Sequence, residues 1–123
     1  MNVTLRKSDL PVHPMFVDRW SRRAFSPEPI DRATLSTLFE AARWSPSSMN
    51  EQPWFFLFAT AEEDLERFRS VLVPGNRTWA DHAPVLVIAY ARKNFSNDRP
   101  NRWAGFDTGA AWMSLALQAH HSG

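Results

Sequence analysis

The sequence predicts a layered domain of the α/β or α+β class, and three patterns in its 123 residues indicate this. Two apolar runs of strand length, residues 55–58 and 85–90, are typical of strands buried on both faces. A stripe of apolar residues with helical spacing precedes the first run. Further helical patterns follow each run, and strands that alternate with helices indicate stacked layers of secondary structure.

Two helices are predicted before the first strand. Pro14 suits the first turn of a short helix, which we expect to carry Phe16, Val17 and Trp20. Asp31 is a plausible N-cap for the second helix. Its stripe consists of Leu35, Leu38, Phe39 and Ala42. We expect this helix to end at Ser45, because the residue before a proline avoids the helical region.

The second half of the chain predicts two more helices. Thr60 and Glu63 have the spacing of a capping box, and Pro74-Gly75 is expected to end the helix that follows. The apolar residues of that helix are Leu65, Phe68 and Leu72. Residues 93–102 form a polar loop. Residues 107–121 predict a helix rich in small residues, which we expect to be buried, with a subunit interface as one option.

Composition limits the function classes. The length suits one domain over residues 1–123, and 44% hydrophobic with 22% charged residues is ordinary for a soluble protein. A net charge of +1 implies no general attraction to nucleic acid or membrane surfaces. The chain has no cysteine, its four histidines lack ligand spacing, and no metal site is expected. Residues 1–10 lack an apolar signal core and the apolar runs are short, so a cytoplasmic protein without membrane spans is expected.

The segment Pro46-Ser47-Ser48-Met49-Asn50-Glu51-Gln52-Pro53-Trp54 is the most informative in the chain. Two prolines bracket short hydroxyl and amide side chains, so the segment is stiff and rich in hydrogen-bonding groups. Such a loop can present donors to a flat polar ring. The alternative is an ordinary turn after a helix, because proline and serine are common there.

A basic cluster, Arg19-Trp20-Ser21-Arg22-Arg23, lies upstream of that segment. The planar fork of arginine makes paired, charge-assisted hydrogen bonds to phosphate. Arg19 and Arg23 are four residues apart and share one face if the segment is helical, whereas Ser21 does not lie on that face. The alternative is a solvated basic surface with Trp20 in the core.

These segments resemble the FMN-dependent nitroreductase family from about residue 16 to the last residue. The resemblance rests on Arg19-x-Ser21-x-Arg23-x-Phe25, residues 41–54, Asn76-x-x-Trp79, Ala83-Pro84 and Asp107-x-Gly109-Ala110-Ala111. It implies an α+β fold in three α/β/α layers, with helices around a central mixed sheet. Relatives normally continue well beyond residue 123, so the resemblance implies the N-terminal portion of the family domain and an incomplete sheet.

The resemblance also implies a function. Family members are homodimers with FMN at the interface, and they pass two electrons from NADH or NADPH through FMN to nitroaromatics, quinones or similar small acceptors. The flavin carries the hydride while the protein supplies position and electrostatics, so we expect no catalytic side chain. No G-x-G-x-x-G motif is present, and a nicotinamide cofactor is expected only as a transient donor. The alternative is a truncated, non-catalytic flavin-binding or dimerisation module that needs a partner chain.

The positions that match the family's cofactor contacts are Arg19, Trp20, Ser21, Arg23, Pro46, Ser47, Ser48, Asn50 and Asn76. Trp20 remains open between a flavin contact and the core, and Asn76 between a flavin contact and a helix cap or turn residue. Trp79 stands where relatives often carry a lysine. Asp107 matches a family position, and we expect it to cap the last helix rather than to contact substrate.

Overall fold

The computed structural model describes residues 6–123, which contain five α-helices and two β-strands. The elements in chain order are α1 (Pro14–Asp18), α2 (Arg32–Arg43), β1 (Trp54–Ala59), α3 (Glu62–Ser70), α4 (Pro74–Ala80), β2 (Leu86–Ala91) and α5 (Ala104–Ser122). The prediction that residues 1–10 lack a signal core concerns, in part, residues outside this range. The helices and strands confirm the predicted α+β class.

The two strands pair in antiparallel register. Trp54 lies opposite Ala91 and Ala59 lies opposite Leu86, and the part of the sheet within residues 6–123 has only these two strands. Phe56 and Phe58 lie on one face, where the ring of Phe39 from α2 is 5.8 and 5.3 Å from theirs. α2 therefore covers part of this face.

The prediction that both strands are buried on both faces is wrong for this chain. Phe55, Leu57 and Phe58 in β1 are 47%, 51% and 49% exposed, and Val87, Ile88 and Tyr90 in β2 are also exposed. The physical reason is the width of the sheet: two strands have two free edges, and the neighbouring helices cover only part of each face. A large apolar sheet surface is thus open in the single chain.

The best-packed part of the molecule lies between α2 and α5. Ala42 and Ala111 are fully buried there, because small side chains let two helix backbones approach closely. Asp31 caps α2 as predicted, since its Oδ1 accepts a 2.7 Å hydrogen bond from the Thr34 N–H. This hydrogen bond from the Thr34 N–H is the main reason why the pKa of the Asp31 carboxyl is lowered. α2 ends at Arg43, close to the predicted position.

Several predicted helix boundaries need correction. Pro74 opens α4 instead of ending the preceding helix, because proline is tolerated in a first helical turn. Ala61 is the N-cap of α3 and makes no side-chain bond, so the predicted capping box does not form. Trp20 lies beyond the end of α1, and α5 begins at Ala104 rather than near residue 107.

Candidate functional site

The polar turn that follows α2 is attached to α5 at its start. Ser45 is buried, and its hydroxyl lies 2.8 Å from that of Ser114 in α5. Before it, Arg43 and the indole N–H of Trp44 both donate to the Glu40 carboxylate. The bonds from Arg43 and then from Trp44 hold the pKa of Glu40 down at about 2. The end of α2 is therefore fixed where the turn begins.

The turn is a single 3₁₀ turn, Ser48–Asn50, whose backbone is largely bonded within itself. The N–H groups of Asn50 and Glu51 donate to the carbonyls of Ser47 and Ser48. The Gln52 N–H donates to the Ser47 hydroxyl at 2.9 Å, and its side-chain amide donates to the Asn50 Oδ1 at 3.0 Å. The Asn50 amide N–H₂ has no partner among the described residues, so it can donate to a ligand.

Three residues of this segment adopt left-handed backbone conformations. Met49, Asn50 and Gln52 have φ of 56°, 52° and 49°. Non-glycine residues rarely adopt this region, and such conformations persist when the surroundings hold them. The turn is thus held in a specific shape rather than in a relaxed one.

Asp107 has a different role from the one predicted. α5 begins three residues earlier, at Ala104, so Asp107 lies inside the helix and not at its cap. Its buried carboxylate accepts a 2.9 Å hydrogen bond from the Ser48 N–H. Asp107 therefore joins the turn to α5, and the residue types alone gave no signal of this contact because the partners are 59 positions apart.

A second tie, also missed in the sequence, holds the far end of the turn. The largely buried Glu51 side chain pairs with Arg92 at 3.0 Å and accepts a 3.3 Å hydrogen bond from the Ser96 hydroxyl. The Arg92 N–H donates to the carbonyl of Pro53, whose side chain is fully buried. Pro53 therefore anchors the far end of the turn at the start of β1.

The basic cluster is not helical. α1 ends at Asp18, and Arg19 has the extended backbone angles φ −71° and ψ 127°, so Arg19 and Arg23 do not share a helix face. Trp20, Ser21, Arg22 and Arg23 are exposed. This exposure argues against Trp20 as a core residue within the single chain.

Arg19 stands apart from its neighbours. Its Nε atom is buried and has no hydrogen-bond partner among the described residues. Its carbonyl accepts a 2.9 Å hydrogen bond from Arg6, and its N–H donates to Met15. A buried N–H without an acceptor is costly. The guanidinium as a whole is only part-buried, so its other N–H groups can pair with an anionic oxygen supplied from outside.

The remaining predicted residues lie on α4 or beside it. Asn76 is exposed in the first turn of α4, where its N–H donates to Val73. Trp79 packs beside the cluster, with its ring 6.0 Å from the Arg23 guanidinium and 6.0 Å from the Phe25 ring. Trp79, at the position where relatives often carry a lysine, thus makes a cation–π contact with Arg23.

In the single chain the turn and α1, the helix that leads into the basic cluster, both contact α5. The turn is bonded to Asp107 and Ser114, about 10 Å apart along α5. α1, which leads into the basic cluster, packs against α5 as well, and a cleft of about 700 Å³ separates Met15 and Asp18 from Leu117 and His121. A second cleft of about 440 Å³ lies between residues 25–29 and 81–84. Neither cleft is lined by a predicted cofactor residue.

Within residues 6–123, no three side chains of the His, Cys, Asp and Glu types come close enough to share a metal ion. None of the helices in that range has the length and apolar character that crossing a bilayer requires.

Comparison with known proteins gives a consistent result. The model of the Nitroreductase family matches residues 17–74. A Streptomyces coelicolor protein named as an NADH dehydrogenase/NAD(P)H nitroreductase is 33% identical over 87 residues, which are 71% of this chain and 43% of that protein. A Burkholderia lata protein of the same name is 31% identical, over 87% of this chain and 54% of its own length. The chain spans about half the length of these curated relatives.

Solved structures have the same fold. A crystal structure described as an oxidoreductase containing FMN superimposes with a TM-score of 0.92 and 42% identity, over 100% of this chain and 65% of that one. A nitroreductase from Desulfovibrio desulfuricans in complex with FMN gives a TM-score of 0.76 at 22% identity, over 94% of this chain and 65% of its own. The sequence matches and the fold agree: residues 17–74 match the nitroreductase family, and the described fold superimposes on nitroreductases and on an oxidoreductase that contains FMN.

Proposed function

We propose that this chain is the flavin-binding portion of an FMN-dependent oxidoreductase of the nitroreductase type. It serves the transfer of two electrons from NADH or NADPH to a nitroaromatic, quinone or similar small acceptor. The observation that carries the proposal is the 42% identity, over the whole of this chain, to an oxidoreductase that contains FMN. The names of the curated relatives, which include NAD(P)H, support the choice of electron donor.

The residues of the basic cluster fit the phosphate end of FMN. Arg19 has a buried N–H without a partner, and Arg23 is held by the ring of Trp79. Both guanidinium groups suit a phosphate, which carries close to two negative charges. The hydroxyl of Ser21 and the indole of Trp20 are exposed in the same extended segment and can reach a ligand lying along it. A free N–H at Arg19 is the feature that favours a ligand over a merely solvated cluster.

The turn fits the polar edge of the flavin ring. Pro46 and the positive φ of Met49 and Asn50 fix its shape, and the Asn50 amide N–H₂ is free to donate. The hydroxyls of Ser47 and Ser48 lie beside it. When bound, FMN supplies the electron-carrying chemistry, and donors near the ring raise its reduction potential. The roles of these side chains are to orient the ring and to set that potential. Asn76 lies on exposed α4 and is the remaining candidate contact.

A homodimer follows from the same proposal. In a single chain the turn is bonded to α5, whereas Arg23 of the basic cluster contacts Trp79 in α4, so one flavin that contacts both is expected to bind between two subunits. Exposed aromatic side chains on α5 support an interface there, because Phe106 is 78% and Trp112 48% exposed. We place the protein in the cytoplasm and treat residues 1–123 as one domain.

The proposal is tested by reconstituting the purified protein with FMN and recording its visible spectrum and its oxidation of NADH and NADPH. A flavin spectrum together with reduction of a nitroaromatic or quinone is the expected result. Flavin binding without turnover supports the non-catalytic flavin-binding module instead. A protein that stays colourless and inert contradicts both.

A further inference from the structure

We propose that Asp107 is a positioning residue for the turn that faces the flavin, and that it acts through its hydrogen bond to the Ser48 N–H. This inference rests on the proposed function, because it assigns to Asp107 the task of placing flavin contacts. Asp107 itself is not expected to touch the flavin.

The bond between Asp107 and the turn is buried and well formed. The Ser48 N–H donates to Asp107 Oδ2 at 2.9 Å, and Asp107 is only 5% exposed. A buried carboxylate is costly unless it is hydrogen-bonded, so the bond is needed by Asp107 as well as by the turn. Asp107 also lies in the first turn of α5, where the positive end of the helix favours a negative charge.

The pattern of hydrogen bonds makes this contact the link between the 3₁₀ turn itself, Ser48–Asn50, and α5, whereas the Ser45–Ser114 bond holds the residue that precedes Pro46. The N–H groups of Asn50, Glu51 and Gln52 all bond to Ser47 or Ser48 and so hold the turn to itself. The Ser48 N–H instead reaches across to Asp107. It is therefore not available to a ligand, whereas the Asn50 amide and the Ser48 hydroxyl remain free to contact the flavin.

The backbone of the turn needs such a link. Met49 and Asn50 both have positive φ, and Met49 is 86% exposed, so its own side chain contributes little packing. Backbone in this region is retained where surrounding contacts impose it. α5 is a firm base for such a contact, since Ala111, one helical turn after Asp107, is fully buried.

The test compares two substitutions with different effects on one hydrogen bond. Asp107→Leu removes the acceptor at similar volume, whereas Asp107→Asn keeps an oxygen that can accept from the Ser48 N–H. We expect D107L to raise the dissociation constant for FMN at least about fivefold, the loss of one hydrogen bond, and to change the visible spectrum of the bound flavin. The dissociation constant of D107N for FMN is expected to remain within about threefold of that of the wild type.

The matched control is Thr108→Val, at the next position of α5. The Thr108 hydroxyl is buried and has no hydrogen-bond partner among the described residues, and valine has nearly the same shape. T108V alters the same part of the helix without touching the turn, so its affinity for FMN should equal that of the wild type. Each variant is measured only as folded protein, confirmed by thermal unfolding.

The outcomes separate this inference from the proposed function. If the wild type binds FMN and D107L binds it equally tightly, the inference is overturned and the proposed function stands. Equal losses of FMN affinity in D107N and D107L also overturn the inference, because they would show that the charge of Asp107 matters and not its hydrogen bond. If the wild type binds no FMN, the proposed function fails and the inference fails with it.

A second pair of variants covers the case in which D107L does not fold. Ser48→Pro removes the N–H itself, and Ser48→Ala removes only the hydroxyl. Proline fits at this position, because Ser47 is extended at φ −149° and ψ 153° and Ser48 opens the 3₁₀ turn. We expect S48P to bind FMN at least about fivefold more weakly than S48A. Equal affinities would overturn the inference.

Discussion

Arg19 and Asn50 show how single side chains decide whether this surface can hold a flavin. The Arg19 Nε atom is buried and lacks an acceptor, and the Asn50 amide N–H₂ lacks one as well, among the residues that the structure describes. The buried Nε–H of Arg19 is costly without an acceptor, and a ligand that supplies an oxygen atom to the guanidinium offsets part of that cost. The Asn50 amide is exposed and hydrated, so it can exchange water for a ligand oxygen. The two residues mark the two ends of the proposed site.

Replacing the arginines tests the phosphate end. We expect Arg19→Ala to weaken FMN binding more than tenfold, because each charge-assisted bond is worth roughly 1.5–3 kcal/mol. Adding Arg23→Ala to Arg19→Ala is expected to weaken binding further. The matched control is Arg22→Ala, since Arg22 lies between them but rests 5.5 Å over the Trp20 ring. Fluorescence titration with FMN gives the dissociation constants. Equal constants for R19A and R22A would remove Arg19 from the site.

The Glu51 carboxylate supports the far end of the turn through Arg92 and Ser96. We expect Glu51→Ala to lower the free energy of unfolding by about 1–3 kcal/mol, because these bonds are charge-assisted and Glu51 is largely buried. Urea unfolding measures this change. Glu28→Ala is the control, since Glu28 is exposed and makes no ion pair among the described residues. Equal stability of both variants would mean that the tie contributes nothing.

At the scale of elements, α2 and the two strands were predicted correctly from local sequence pattern. Contacts between residues that are distant in sequence were not predicted. Periodicity and capping chemistry indicated α2 with its Asp31 cap and both strands, since these depend on local pattern. The turn after α2 was recognised by its prolines, serines and amides. Its ties to Asp107 and Arg92 were missed because they join residues 59 and 41 positions apart. The first helix was expected to carry Trp20, but α1 ends two residues earlier, at Asp18.

The end of α2 has a measurable pH dependence. Hydrogen bonds from Arg43 and Trp44 lower the pKa of Glu40 to about 2 from an ordinary value near 4.5. A lowered pKa in the folded state means that this contribution to stability is present above about pH 4.5 and is lost as the pH falls towards 2. Thermal unfolding should show Glu40→Gln less stable than the wild type at pH 7, with the gap closing below pH 4.5. The difference in stability between the two proteins should be small and sensitive to salt, because the side chains of Glu40 and Arg43 are both more than half exposed. A gap that is constant with pH would contradict this.

At the scale of the whole molecule, the chain exposes apolar surface that a folded protein usually covers. The faces of the sheet and one side of α5 carry exposed aromatic residues. The burial expected from the apolar strand sequences is therefore not achieved within one chain, and no local pattern could have shown this. The chain covers 65% of the FMN-containing oxidoreductase that it matches, and the proposed dimer supplies a second covering surface.

A charge on α5 tests the proposed dimer. We expect Phe106→Glu to convert a dimer into a monomer, because Phe106 is 78% exposed and a carboxylate resists burial in an apolar interface. Native mass spectrometry measures the change. Val71→Glu is the matched control, since Val71 is 69% exposed but lies at the end of α3. A monomeric wild type, or a dimer that survives F106E, would contradict an interface through α5.

The central claim is that one FMN is held by the basic cluster at its phosphate and by the turn at its ring. The most direct measurement is a titration with FMN of the wild type, Arg19→Ala, Asn50→Ala and the double variant, followed by flavin fluorescence. We predict saturable binding of one FMN per chain in the wild type, a loss in each single variant and a larger loss in the double variant. A wild type that does not bind FMN, or single variants that bind it unchanged, would contradict the claim.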